Sequence, residues 1–158
     1  YLYFILESIH INYINLIDYN FLLKYNFILF MKVITIKNPW ARLICSGFKD
    51  VENRSRRTKF RGKILIHAGK QIDEKFKLNS QQIEVIQINE LEQLQNNDFT
   101  NSAIIGEVTI VDCIEDSDSI WAIQGQYHWV LRDPVLYDEP IRNVKGKLGL
   151  WEFNPQLT

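Results

Sequence analysis

Gly47-Phe48-Lys49-Asp50-Val51-Glu52-Asn53-Arg54 follows directly on Asn38-Pro39-Trp40-Ala41-Arg42-Leu43-Ile44-Cys45-Ser46, and the join between the two runs decides the fold. The upstream run reads as a short helix over 38–46. Asn38 is placed to cap it, and Pro39 suits the first helical position, where a missing N–H costs nothing. Trp40, Leu43 and Ile44 fall on one apolar stripe facing a core. Gly47 stops the helix, because a glycine just past the last apolar residue takes the left-handed conformation that closes it. Lys49, Glu52 and Arg54 therefore leave a rigid joint.

Beyond the joint the chain is expected to be extended from Lys49 to Arg54. Side chains alternate across a strand, so Glu52 and Arg54 share a face and can hold each other. Lys49 lies opposite them if the strand already includes it. If it belongs to the turn after Gly47, it swings toward Glu52, and this version is the one we favour. The three charges of Lys49, Glu52 and Arg54, so close together in a core-forming region, are costly to bury unless paired, and groups held that way tend to mark functional sites. The competing structural reading is an ion pair that only pins helix to strand.

Upstream, Met31-Lys32-Val33-Ile34-Thr35-Ile36 alternates as a strand. Downstream, Lys63-Ile64-Leu65-Ile66-His67-Ala68 is a second strand, with Ile64 and Ile66 on one face and Leu65 and His67 on the other. The stretch Lys145-Gly146-Lys147-Leu148-Gly149-Leu150-Trp151-Glu152-Phe153 closes the ordered pattern. These segments, with Asn38-Pro39-Trp40-Ala41 and with Gly47, Lys49, Glu52 and Arg54 in the spacing Gly-x-Lys-x-x-Glu-x-Arg, resemble the ASCH domain family across most of Met31 to Phe153. The resemblance implies an α+β fold, a PUA-like mixed β-barrel with a short helix after the first strand and a longer helix in the middle. It also implies a cleft that binds RNA or a nucleotide or modified nucleoside. Some small members of that family are amidohydrolases acting on N4-acetylcytidine, with a catalytic lysine where this chain has Lys49 and a threonine where it has Glu52. A carboxylate is no hydroxyl nucleophile, so an enzyme of this kind would need Glu52 as a base on water, with Lys49 either lowered in pKa or stabilising the oxyanion.

Length and composition suit one domain with a real core, 158 residues at 46% hydrophobic. Residues 1–30 stand apart, drawn almost wholly from Ile, Leu, Phe, Tyr, Asn and Lys, with no Gly, Ala, Pro, Arg or Val. They read as a translated AT-rich extension or a loosely helical segment, with Met31, the single methionine, as the native start and 31–158 as the domain. A membrane segment is not expected, because Glu7, Asp18, Asn20, Lys24 and Asn26 interrupt any run near the ~20 apolar residues that crossing requires. The segment also lacks the basic leading region and small-residue cleavage site of a targeting peptide. From residue 31 onward basic and acidic residues balance, so nucleic-acid binding must rest on a local patch.

One such patch exists. Arg54, Arg56, Arg57, Lys59, Arg61 and Lys63 occur with no acidic residue among them, in a loop suited to salt-sensitive phosphate contacts. The alternative is a solvated loop. Arg54, Arg57 and Lys70 are the expected phosphate contacts. Trp40 or Tyr127 is expected to stack a base, since aromatic side chains beside a basic loop are the usual platform for unpaired bases. His67 is read as a cleft ligand or, alternatively, a satisfied core or rim histidine. Trp129 and Trp151 are read mainly as packing.

In the middle of the chain Asn79 and Gln82 make a capping box, and one helix is expected from there to about Gln95, although Val85 to Ile88 also reads as strand. Its acidic face is taken as solvated. Ala103 to Ile114 is a long strand in which Gly106 marks a bulge or a close backbone approach. The final long strand, opening at Tyr127-His128-Trp129, is expected to end near Pro134. The acidic run Asp112, Glu115, Asp116 and Asp118 lacks the glycine and terminal glutamate of a calcium loop. A metal-dependent ribonuclease finds no metal cluster here. Cys45 and Cys113 form neither a zinc motif nor a disulfide framework, which fits a reducing cytoplasm. No metal and no cofactor is expected.

Overall fold

The computed structural model describes residues 30–96 and 99–154, so the upstream extension expected over 1–30 lies, apart from Phe30, outside the described residues. Six strands form one mixed sheet: β1 (Met31–Asn38), β2 (Val51–Arg54), β3 (Gly62–Ile72), β4 (Ala103–Ile114), β5 (Tyr127–Ile141) and β6 (Leu150–Phe153). Among the described residues three helices accompany them: α1 (Trp40–Cys45), α2 (Ser80–Val85) and α3 (Ile88–Asn96). The hydrogen-bonded order is β2-β5-β4-β3-β1-β6, with β1 and β3 parallel and every other pair antiparallel. The fold is thus α+β, as expected. The described ladder has two ends, β2 and β6, and the expected closure into a barrel is not part of it. The sheet nevertheless curls far enough for Arg54 of β2 to donate from Nη2 to the Thr35 carbonyl of β1 at 3.3 Å.

Alternation along β1 and β3 explains both faces of the sheet. Ile34, Ile36, Ile64, Ile66 and Ala68 point to one side, where Ala41, Ile44 and Cys45 of α1 meet them together with Val108, Ile110 and Leu131. Val33 and Leu65 point to the other, where Ile104, Val144, Trp151 and Phe153 cover them. The opposite side of α1 places Leu43 in a third cluster with Val51, Ile86, Leu94 and Trp121. Burying this apolar area is the main favourable term of folding, at about 25 cal/mol per Å² removed from water. Helix α1 is therefore held from two sides, which makes the joint after it rigid.

Four sequence expectations change. Asn38 does not cap α1: it is the last residue of β1, buried, and its Nδ2 donates to the Thr100 carbonyl and to Asn101 Oδ1. Pro39 takes the cap position itself, with no side-chain cap bond. The single helix expected over about 79–95 is two helices. Asn79 and Gln82 form the expected capping box, but Ile86 turns extended (ψ 131°) and is buried in the third cluster, while Ile83, Val85 and Ile88 stay exposed. Drifting apolar positions cannot all face one core, so the chain breaks where Ile86 must turn inward. Nor is the acidic face of this region wholly solvated. Glu90 is buried and grips Arg42 of α1 through Nε–Oε1 at 2.6 Å and Nη2–Oε2 at 3.0 Å.

The fourth correction concerns Pro134, which does not end β5. The strand runs on to Ile141, because Asp133 (φ 50°) and Pro134 bulge out opposite Val108, between the pairs Thr109–Arg132 and Glu107–Val135. A bulge is where proline costs the ladder nothing. Two residues before Val108, Gly106 pairs with Leu136 at the edge of a second register break and makes a close approach: a Cβ there would lie 2.1 Å from the Val135 carbonyl oxygen and 2.7 Å from Cys45 Sγ. That apolar packing drives the Cys45 thiol pKa up by desolvation. Among the described residues no helix is long and apolar enough to cross a membrane.

Candidate functional site

Gly47 takes φ 82°, and the next two backbone N–H groups, of Phe48 and Lys49, both donate to the Leu43 carbonyl at 3.0 Å. This closes α1 and folds Lys49 back under it, ahead of β2. Lys49 is therefore a turn residue, only 4% exposed. Its ammonium contacts the Val51 carbonyl and lies 3.3 Å from Glu52 Oε2. An ammonium has three donors, so these two acceptors leave one. Glu52 Oε1 lies 3.1 Å from Arg54 Nε, an ion contact without hydrogen-bond alignment, and the Arg54 guanidinium also sits 5.8 Å from the centre of the Trp129 ring. Lys49, Glu52 and Arg54 thus form one continuous charged chain along the start of β2.

This chain lines a cavity of about 710 Å³. Trp40 and Trp121 also line it, meeting edge to face with ring centres 6.4 Å apart. The Trp40 ring is oriented by Phe76 (4.8 Å) and by its Nε1–H, which donates to Asp73 Oδ2 at 2.8 Å. That hydrogen bond is the main reason the Asp73 carboxyl titrates below its usual range. Asn53, between the two charged residues of β2, ties down the far wall: Nδ2 donates to the Trp121 carbonyl and Oδ1 accepts from the Ile123 N–H. Lys37 and Lys77 stand exposed at the same cavity.

Of the residues expected from sequence to form the site, Trp40, Lys49, Glu52 and Arg54 come together here. Six others do not. Arg56, Arg57 and Lys59 are exposed on the loop and line no part of the cavity. The rest of that loop is paired, Arg61 with Asp112 at 2.7 Å and Lys63 with Glu107 at 2.6 Å. Tyr127 pairs with Arg54 across the β2–β5 ladder and packs against the main core, away from the cavity lining, because its face of β5 points inward. His67 is buried on the opposite face of the sheet, since alternation puts it with Leu65, and Lys70 accompanies it there. Trp129 and Trp151 are buried, as their reading as packing residues required.

Several cavity residues escaped the sequence reading: Asn53, Asp73, Trp121, Lys37 and Lys77. For Asn53 a signal existed, since it lies inside the charged segment. For the others none did, because they arrive from β1, from the 73–77 turn and from the 121–123 segment only on folding. Among the described residues no cluster of three or more metal-ligating side chains occurs.

The fold and the site define a small α+β protein in which a helix, a glycine turn and a strand deliver a buried ion chain to an aromatic-walled cleft. The family model of the ASCH domain matches residues 34–143, most of the chain, and the chain belongs to that family. None of the curated proteins compared with it matches. The matched span holds the whole of the Gly47–Arg54 segment and ends before the Lys145–Phe153 stretch.

Proposed function

We propose that the cleft binds a nucleoside or nucleotide, free or as part of an RNA strand. The observation that carries this is the Lys49–Glu52–Arg54 chain on the wall of a cavity whose other walls include Trp40 and Trp121. Its volume of about 710 Å³ falls within the span usual for small-ligand sites, about 300–1,000 Å³. Indole rings suit the faces of a base, and a carboxylate such as Glu52 accepts from an exocyclic amino group, as acidic side chains do from cytosine N4. Arg54, Lys37 and Lys77 supply positive charge for a phosphate at the same cavity. Relative to the sequence expectation, Tyr127 leaves the set of stacking candidates and Trp121 joins it.

A hydrolytic reading is favoured by one observation, the 3.3 Å approach of Lys49 Nζ to Glu52 Oε2 on the cavity wall. In that reading Glu52 takes a proton from water as it adds to an N-acyl carbon, Lys49 stabilises the oxyanion, and the proton passes to the leaving amine. Titration calorimetry with cytidine, N4-acetylcytidine, cytidine monophosphate and short RNAs, followed by chromatography of the same mixtures, tests both. Saturable binding that Lys49→Ala abolishes while the fold is kept is the expected result. Release of acetate and cytidine establishes hydrolysis. Absence of binding by every probe overturns the cleft reading.

A further inference from the structure

A second cavity, of about 400 Å³, opens on the other face of the sheet between β3 and the loop that leads into β6. Its lining includes Lys70, Lys145 and Lys147 and no carboxylate. The described ion pairs involve none of these lysines. The loop that presents two of them is held in place. Val144 is buried, its N–H donates to the Ser102 carbonyl at 2.9 Å, and its own carbonyl lies 2.9 Å from His67 Nε2. A carbonyl only accepts, so Nε2 carries the proton, and the buried Nδ1 is left without a partner among the described residues. Gly146 lies directly over that ring: a Cβ there would come 2.8 Å from His67 Cε1 and 3.0 Å from Nδ1. Only glycine lets the loop close so tightly on the sheet. Lys147 then lies 5.4 Å from the centre of the Trp151 ring, whose Nε1–H donates to Thr35 Oγ1.

Thr35 joins the two cavities, since it lines both and its carbonyl takes the Arg54 hydrogen bond. Their charge differs. The cleft mixes carboxylates with cations, whereas the only charged side chains described in the lining of the second cavity are lysines, which suits a phosphate. We propose that the second cavity is a phosphate subsite, taking a backbone phosphate of a single-stranded RNA whose neighbouring base occupies the cleft. This rests on the nucleoside reading of the cleft. The subsite is distinct from the arginine-rich loop at 56–61 and draws on residues from β3 and the β5–β6 loop.

Lys70→Ala/Lys145→Ala removes two cations that hold no other side chain in place among the described residues, so the fold should survive, and circular dichroism checks it. The probe is a fluorescent single-stranded RNA of about eight nucleotides, read by anisotropy across a salt series. The double variant is expected to lose about tenfold in affinity at low salt and to flatten the slope of log K against log salt by about 0.7 for each phosphate that the protein no longer neutralises, with cytidine binding in the cleft unchanged. Unchanged RNA affinity and slope would falsify the subsite. RNA binding that depends on these lysines while nucleosides fail to bind supports the subsite and fails the cleft reading instead. A parallel titration with inorganic phosphate, read on the Trp151 indole N–H signal assigned through Trp151→Phe, separates the source: a phosphate response without RNA binding overturns the strand.

Discussion

Two adjacent segments carry charge at similar density and meet opposite fates. In Lys49–Arg54 the charges of Lys49, Glu52 and Arg54 are paired with one another and largely withdrawn from water, Lys49 and Glu52 only 4% and 12% exposed, and Asp50 alone faces solvent. In Arg56–Lys63 the charges stand in solvent, and the two pairs present, Arg61–Asp112 and Lys63–Glu107, lie at the surface. The difference lies in what precedes each segment. Lys49 follows a helix closed by Gly47 and clamped between two apolar clusters, so its direction is imposed. Arg56 follows a strand end, with no packed element to aim it. Charge density alone therefore says little about a site, and a rigid joint next to the charge says much more.

The largest expected effect comes from breaking the buried side of this comparison. Glu52→Ala leaves the Lys49 ammonium with a backbone carbonyl as its only acceptor among the described residues and removes the ion contact of Arg54. Losing one partner of a buried pair costs about 3 kcal/mol, and urea denaturation should show a loss of that order. An undiminished midpoint would mean that the cluster is solvated and the contrast between the segments is false.

A smaller effect is expected from the exposed side. Arg56→Ala/Arg57→Ala/Lys59→Ala should leave the melting temperature where it was, because surface changes away from caps and pairs are nearly neutral. The same variant should weaken RNA binding about equally across sequences and reduce its salt dependence. Full RNA affinity at low salt would assign the loop to solvent, with no part in binding.

The smallest effect distinguishes how each region holds an acid. Asp73 in the cleft and Asp112 beside the loop both titrate below the usual carboxylate range, the first chiefly through the Trp40 indole hydrogen bond, the second chiefly through its hydrogen bond from the Cys113 N–H and then from Arg61. A depressed carboxyl contributes stability that is present above its unfolded pKa and lost as pH falls through its folded one. Carbon-detected NMR titration should show Asp73 returning to the ordinary range in Trp40→Phe, while Asp112 stays low in Arg61→Ala. Return of Asp112 to the ordinary range in Arg61→Ala would show that the surface pair dominates there.

Much of this was written in local sequence. The helix stop at Gly47, the turn position of Lys49, the shared face of Glu52 and Arg54, the Asn79–Gln82 capping box and the bulge at Gly106 follow from nearest neighbours, where glycine conformation, strand alternation and capping chemistry act. The family resemblance lies in the same residues. What misled were positions whose role depends on a distant partner. Asn38 caps nothing because it ends β1 and its side chain turns to Thr100 and Asn101, to which Nδ2 donates, and Pro134 sits inside a strand because Val108 faces a bulge there. Glu90 is buried because Arg42 waits for it. His67 and Lys70 belong to another cavity because sheet pairing, which a single strand cannot specify, decides what lies over each face. Local conformation is set by dihedral preference and hydrogen bonds a few residues apart, and the sequence by itself determined that much. Which side chains converge on the cleft was decided only by the tertiary structure, since Trp121, Asp73 and Lys37 share no local signal and meet only when the sheet curls and α1 docks.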